Sequence, residues 1–382
     1  MKKIKVNLYI SLFLIIVIGL GSLSYSKLMN FYINNELDYN EWTPELGSKF
    51  ETDIASTFYK KIEFVNLNGA ICKMLNQPIM NGVVKLDNGY LYSPMEYTSD
   101  ETLRKYADST RKFNDYLDDK GISLLYCNTP ITSSKYDPQI PSGISDYGND
   151  NCDRFIKMLN ESNIDTIDFR ETIHNDGLDL YDFMYRTDHH WNTLAGFYAY
   201  GKIEEYIVNK TGCEVDERIS DINNYSIITY PKWHLGSNGQ RTGVYYAGID
   251  DYQLIVPNFN LSIRGNNGSV GNMQDIIINM EPLKNKDYTS RFTYDFVMGA
   301  SMGHFDNLDC KNDIKVLMIT DSFGKAVNPY IAMGFSQMDC VWKLEVSTIT
   351  REYIDELNPD VVIMLYYPDI LKEGSEAFSF GI

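Results

Sequence analysis

The chain reads as an α/β protein: a parallel sheet covered by helices on both faces, interrupted by a β-rich insertion and preceded by an apolar N-terminal segment. Three observations predict this. Strand and helix signals alternate from about residue 98 to 220 and again from 315 to the C-terminus. The strand signals are continuous apolar runs rather than alternating ones, as expected of strands buried on both faces. Between about residues 221 and 301 the rhythm breaks into short β-like pieces rich in Asn, Gly and Tyr.

At the N-terminus Lys2, Lys3 and Lys5 precede an uncharged apolar run from about Val6 to Leu23. Its length approaches the ~20 residues of a membrane-spanning helix. No A-x-A-like cleavage site follows it. The expectation is a signal-anchor over residues 1–23, with a cleaved signal peptide as the alternative. The lysines would keep the N-terminus in the cytoplasm and place the rest outside the membrane, at the cell surface. Residues 24–45 read as a juxtamembrane stalk and 46–382 as the folded domain, with its insertion at about 221–301.

In the domain, Thr98 and Glu101 have capping-box spacing. Leu103, Tyr106, Ala107, Thr110, Phe113 and Leu117 then recur at helical spacing, and Gly121 stands where a terminal glycine belongs. "ISLLYCNTP" follows as a buried strand, then a helix near 150–160, then the strand "IDTIDF". After "YRTDHHW", Asn192 is placed to cap a helix from Thr193 to about Asn209. Downstream, "IKVLMIT", "CVWKLEV" and "DVVIMLYY" read as strands, separated by helices at "KAVNPYIAMGF" and "TREYIDELN".

Composition excludes some functions. A formal net charge of −18, with no Lys/Arg cluster beyond the first five residues, argues against nucleic-acid binding. The six cysteines, Cys72, Cys127, Cys152, Cys213, Cys310 and Cys340, lack zinc-type spacing. Cys127 and Cys340 lie in apolar runs and read as buried thiols. The 29 tyrosines suit carbohydrate or interface contacts, or reflect compositional habit.

Two short segments carry chemistry. Ser322, in "VLMITDSFGKAVNP", follows a buried strand and precedes a helix. A hydroxyl at such a turn is exposed near backbone N–H groups able to hold an oxyanion, although Asp-Ser there also serves simply as a cap. In "YRTDHHWNTLAG", Asp188 and His190 are two residues apart, so the carboxylate can orient the imidazole while the other ring nitrogen faces a serine. On this spacing His189 should point the other way and Trp191 should pack beneath the ring. A metal site would need a third ligand, and His174, His234 and His304 are scattered. A purely structural cluster is the other alternative. Arg186 and Arg241 stand among many carboxylates and could touch substrate or form surface ion pairs.

Taken in order, these segments resemble the DHHW proteins, which are similar to the AlgX/AlgJ-like polysaccharide O-acetyltransferases of the SGNH-hydrolase superfamily. The resemblance rests on "NGVVKLDNGYLYSP", "GISLLYCNTPITSSKYDPQIP", "YRTDHHWNTLAGFYAY", "FVMGASMGHF" and "VLMITDSFG", and covers roughly residues 45–370. It implies a flavodoxin-like sheet with the motif order permuted, because the Asp–His pair precedes the serine. It further implies Ser322 as nucleophile, His190 as base and Asp188 as orienting acid, with an acetyl-serine intermediate and no bound cofactor. The implied donor is cytoplasmic acetyl-CoA, relayed by an MBOAT-type membrane acyltransferase. The acceptor would be a cell-surface or secreted polysaccharide. Thr320 departs from the family's usual glycine. For the oxyanion, the Ser322 backbone, Asn128 and Gly299 are candidates; for substrate binding, Arg186, Trp191 and Arg241. A carbohydrate acetylesterase with the same triad, D-alanine transfer onto teichoic acids, and a non-catalytic polysaccharide-binding or assembly protein remain alternative functions.

Overall fold

In the computed structural model, the structure describes residues 2–34, 58–287 and 292–382. The end of the expected stalk and the expected domain start at residue 46 lie outside them. Residues Lys2–Asn34 form one helix, whose Ile10, Leu12, Phe13, Ile15 and Ile18 are exposed. No helix among the described residues is long and apolar enough to cross a membrane, so the expected anchor has no support from the fold.

Strands β1 (Ile79–Met80), β2 (Val83–Lys85) and β3 (Leu91–Tyr92) make a small antiparallel sheet. The main sheet comprises β4 (Ser123–Asn128), β5 (Asp165–Asp168), β8 (Ile263–Gly265), β9 (Val270–Gly271), β10 (Phe305–Asn307), β11 (Lys315–Thr320), β12 (Gln337–Trp342) and β13 (Val361–Tyr366). Its order is β5-β4-β13-β11-β12-β10-β8-β9. The first five strands are mutually parallel and the last three antiparallel. The sheet is therefore mixed rather than purely parallel: β10, just after the insertion, pairs antiparallel with β12, and the insertion adds β8 and β9 beyond it. Another part of the insertion forms the antiparallel pair β6 (Tyr225–His234) and β7 (Asp250–Pro257).

Helices cover both faces, as predicted. Leu125, Cys127, Val316, Met318, Ile363 and Leu365 face one core, beneath the helices Thr193–Thr211 and Asn328–Gly334. Leu124, Tyr126, Leu317, Ile319, Val362 and Met364 face the other, beneath Asp100–Asp118 and Gly148–Glu161. This period-2 split explains the unbroken apolar runs: both sides of each strand are buried. The first of these helices is capped one residue later than expected. Ser99 Oγ accepts from the Thr102 amide, while the chain leaves the helix at Gly121 with φ +75°. All six cysteines are free; Cys127 is fully buried and Cys340 partly so.

At the end of β5, the nearly buried Arg170 guanidinium donates to Asp168 (2.6 Å) and to Asp153 (2.7 Å). The Asn128 side-chain amide also donates to Asp168, at 3.1 Å. Arg170→Met would leave Asp168 without its counter-charge. We expect a loss of about 3–5 kcal/mol in stability, read as an earlier urea midpoint.

Candidate active site

The site forms at the carboxyl ends of the parallel strands, where open α/β sheets place their ligand crevices. Strand β11 ends at Thr320, and Asp321 then caps a short 3-10 helix, Ser322–Ala326. The buried Asp321 accepts from the Phe323 amide (2.9 Å) and from the Tyr367 amide beyond β13 (2.8 Å). It thereby ties the serine turn to the neighbouring strand. Tyr294 Oη donates to the Ser322 carbonyl (2.9 Å) and Trp191 Nε1 to the Phe323 carbonyl (2.9 Å). Thr320, where the resembled family has glycine, donates its hydroxyl to the Leu365 carbonyl (2.7 Å).

Residues 184–191 form a loop closed by a bridge between Met184 and Trp191. This loop lies across the serine turn. His190 Nε2 is 2.6 Å from Ser322 Oγ, and His190 Nδ1 is 3.2 Å from Asp188 Oδ2. The Nδ1 contact is off the line of a well-formed hydrogen bond. Such bonds are often long or poorly aligned before substrate binds. Asp188 is buried and richly bonded. Its Oδ1 accepts from the His189 amide (2.8 Å), the Ser237 amide (3.1 Å) and Ser237 Oγ (2.8 Å). Its Oδ2 also takes His234 Nε2, at 2.9 Å.

His189 does not point away. It lines the cleft with Ser322, lies 3.1 Å from Asp188 through Nδ1 and sits tilted against the His190 ring, 3.9 Å between centroids. The i, i+2 rule holds for extended backbone, whereas residues 186–190 are a run of bends. The two imidazoles are driven in opposite directions. Burial, then the neighbouring His189, lowers the His190 pKa against the pull of Asp188. For His189, burial is outweighed by the hydrogen bond and charge of Asp188, and its pKa rises. Burial would raise the Asp188 carboxyl, but the three histidines hold it well below the usual range.

Asp188, His189 and His190 also place ligand-type atoms within 4.8 Å of one another. These atoms already serve Ser322, Ser237 and each other, so the set is a hydrogen-bonded cluster and not an open coordination shell.

A cleft of about 620 Å³ opens above Ser322. Of the expected substrate residues, Arg241 lines it, held by Ser93 Oγ (3.0 Å) and the Asn81 carbonyl (2.6 Å). Arg186 does not line it and lies 3.5 Å from Asp250. Trp191 is fully buried under the serine turn, where it cannot meet substrate. Asn128 and Gly299 do not line the cleft either; the Asn128 amide is spent on Asp168. The Ser322 N–H, at the first position of its 3-10 helix, has no acceptor within that helix. Sequence reasoning missed His234, Ser237, Asn238 and Lys343. The first three lie at 234–238, in a stretch of the insertion that carried no motif.

Gly236 is a packing requirement of the site. A Cβ there would sit 2.2 Å from that of Asp188. Gly236→Ala is expected to displace the carboxylate and lower turnover at least tenfold, with little change in the melting temperature of the main sheet.

The fold is α/β and SGNH-hydrolase-like, and at its strand ends Ser322 Oγ, the His190 ring and the Asp188 carboxylate lie in series, 2.6 and 3.2 Å apart. Residues 83–218 match the family described as "SGNH hydrolase-like domain, acetyltransferase AlgX". Among solved structures, the chain resembles Bacillus cereus PatB1 with a sulfonyl adduct (18% identity, 78% of this chain and 97% of that one, TM-score 0.59). It also resembles a DHHW family protein from Eubacterium siraeum (15% identity, 79% and 96%, TM-score 0.57). A third likeness is to the O-acetyltransferase domain of Pseudomonas putida AlgJ (14% identity, 78% and 95%, TM-score 0.51). No curated protein matches the chain by sequence. The resemblance to DHHW and AlgX/AlgJ-like proteins drawn from the motifs is borne out, and the matched acetyltransferase family supports acyl transfer at that level.

Proposed function

We propose that this protein is an extracytoplasmic O-acetyltransferase that moves acetyl groups onto hydroxyls of a cell-surface or secreted polysaccharide. The observation that carries the reading is the 2.6 Å approach of His190 Nε2 to Ser322 Oγ, with Asp188 behind the ring. His190 takes the Ser322 proton as Oγ attacks the donor carbonyl. The Ser322 backbone N–H, which has no acceptor within its 3-10 helix, holds the tetrahedral oxyanion. Collapse expels the leaving group, which receives the proton from His190, and leaves acetyl-Ser322. A sugar hydroxyl then attacks with His190 again as base, regenerating Ser322. Arg241, at the cleft wall, is placed to hold the acceptor.

The donor is relayed from cytoplasmic acetyl-CoA by a membrane acyltransferase of MBOAT type. The sequence feature behind such a partnership is the uncharged apolar run that follows Lys2, Lys3 and Lys5.

The test is incubation with p-nitrophenyl acetate and a short oligosaccharide, beside Ser322→Ala and His190→Ala. Acetylated sugar that disappears in both variants supports transfer. Nitrophenolate release without acetylated sugar assigns an esterase. Wild-type release no faster than Ser322→Ala removes the catalytic reading in favour of a binding protein. Because the His190 pKa is lowered, its base form persists into more acidic solution than a free imidazole's, near pH 6.5. The acid limb of kcat/KM is therefore expected below that value. Arg241→Ala is expected to raise KM for the oligosaccharide severalfold and leave nitrophenyl acetate turnover within twofold.

A further inference from the structure

We infer that His234, supplied by the insertion, is a positioning residue that fixes the Asp188 carboxylate against His190. The inference rests on the triad reading above and extends it to a fourth side chain. His234 ends strand β6, paired across the hairpin with Asp250, and is fully buried. Its Nε2 lies 2.9 Å from Asp188 Oδ2, the same oxygen that faces His190 Nδ1. Its Nδ1 is buried with no hydrogen-bond partner among the described residues. A buried polar atom left unpaired costs free energy, so its placement calls for a compensating role. Donation from Nε2 to Asp188 supplies one.

The geometry explains what that donation does. Asp188 Oδ1 is pinned by the amide and hydroxyl of Ser237 and the amide of His189. His234 pins Oδ2. With both oxygens held, the carboxylate cannot rotate away from the imidazole it orients, although the His190 contact itself is poorly aligned in this structure. The donated N–H also withdraws charge from Oδ2, so His190 is less strongly drawn to the protonated form. The other groups around these rings are few. His234 faces Asp250 from β7 and the rings of Tyr185 (4.5 Å) and Tyr252 (6.4 Å). Asp250 is in turn occupied by the Thr187 amide and hydroxyl and by Arg186. His190 faces Asp188, His189, Ser322, the ring of Tyr294 and, from the helix Thr293–Met298, Asp295, which pairs with Lys325.

The experiment compares full-length wild type with His234→Phe, His234→Gln and His234→Asn, each checked by thermal melting. Nitrophenyl acetate turnover is followed against pH. The His190 ring is titrated separately by NMR with labelled histidine. His234→Phe fills the space and removes the donor. It is expected to lower kcat tenfold or more with KM within twofold, and to move both the acid limb and the His190 titration upward by roughly half a unit or more. Gln, whose amide reaches Oδ2, is expected to restore most of both; Asn, one methylene shorter, is not. If Phe does not fold, a difference between Gln and Asn in limb and titration supports the inference, and identical behaviour overturns it. Unmoved turnover and titration in His234→Phe overturn it, and so does lost turnover with an unmoved titration, which is a packing effect. The NMR titration is independent of catalysis, so a wild type no more active than Ser322→Ala would sink the triad reading while the titration still decides the His234–Asp188–His190 coupling.

Discussion

Ser322→Ala is expected to reduce turnover of an activated acetyl ester at least about a thousandfold, with the fold intact. The substitution removes one oxygen from a turn whose other bonds do not depend on it. Asp321 still caps the 3-10 helix, Tyr294 still donates to the residue 322 carbonyl, and Trp191 still holds the Phe323 carbonyl. Loss of activity without loss of melting temperature is therefore the expected pair of results. Mass spectrometry after a sulfonyl fluoride should find wild type heavier by one sulfonyl group and Ser322→Ala unchanged. In that reaction the Ser322 Oγ–S bond forms, the S–F bond breaks, and His190 takes the hydroxyl proton as fluoride leaves. Labelling at another residue would withdraw the nucleophile assignment.

Asp188→Asn should be nearly as damaging for a different reason. The carboxylate accepts at both oxygens: from Ser237 and the His189 amide on one side, from His234 on the other, where His190 Nδ1 also lies 3.2 Å away. An amide can accept on only one side. Whichever way it turns, its NH2 meets a donor, a mismatch of about 1–3 kcal/mol in a buried site. The charge that holds the imidazolium during acyl transfer is also lost. Together these are expected to lower kcat about 10³–10⁴-fold while KM changes little. The variant should also lose a pH dependence of stability that wild type has. The wild-type carboxyl is held well below its unfolded value, so its stabilisation is present above the unfolded pKa near 3.9 and lost as pH falls through the folded value. Acid titration of wild type, but not of Asp188→Asn, should show that loss below about pH 4. Matching acid profiles in the two proteins would contradict it.

Much of the site was legible in the chain because its signals are local. A serine after an apolar strand and before a helix must stand at a strand end. An aspartate two residues from a histidine can reach its ring through a single bend. Asn192 was legible as a cap, and it does accept from the Ala195 amide (3.0 Å). What went unread depends on distance in sequence. His234 lies 46 positions from Asp188, and Ser237 lies 49. Both sit in an insertion whose irregular composition gives no periodic signal. Arg186 and Arg241 looked equivalent as rare cations; only packing decides that one meets Asp250 and the other the cleft.

The sequence by itself determined the layered α/β architecture, since apolar runs of strand length separated by amphipathic helices can bury both faces of a sheet in few other ways. It also singled out Ser322, His190 and Asp188, a hydroxyl, an imidazole and a carboxylate, and these three do come together at the strand ends. Tertiary structure decided the rest. It made the sheet mixed by setting β10 antiparallel to β12 and adding β8 and β9 from the insertion. It turned His189 into the cleft, because a run of bends does not alternate its side chains. It buried Trp191 beneath the serine turn, withdrew Asn128 to Asp168 and brought His234 onto Asp188. Each outcome depends on which surfaces meet when the insertion folds over the strand ends, and residues so far apart in sequence leave no periodic trace of that contact.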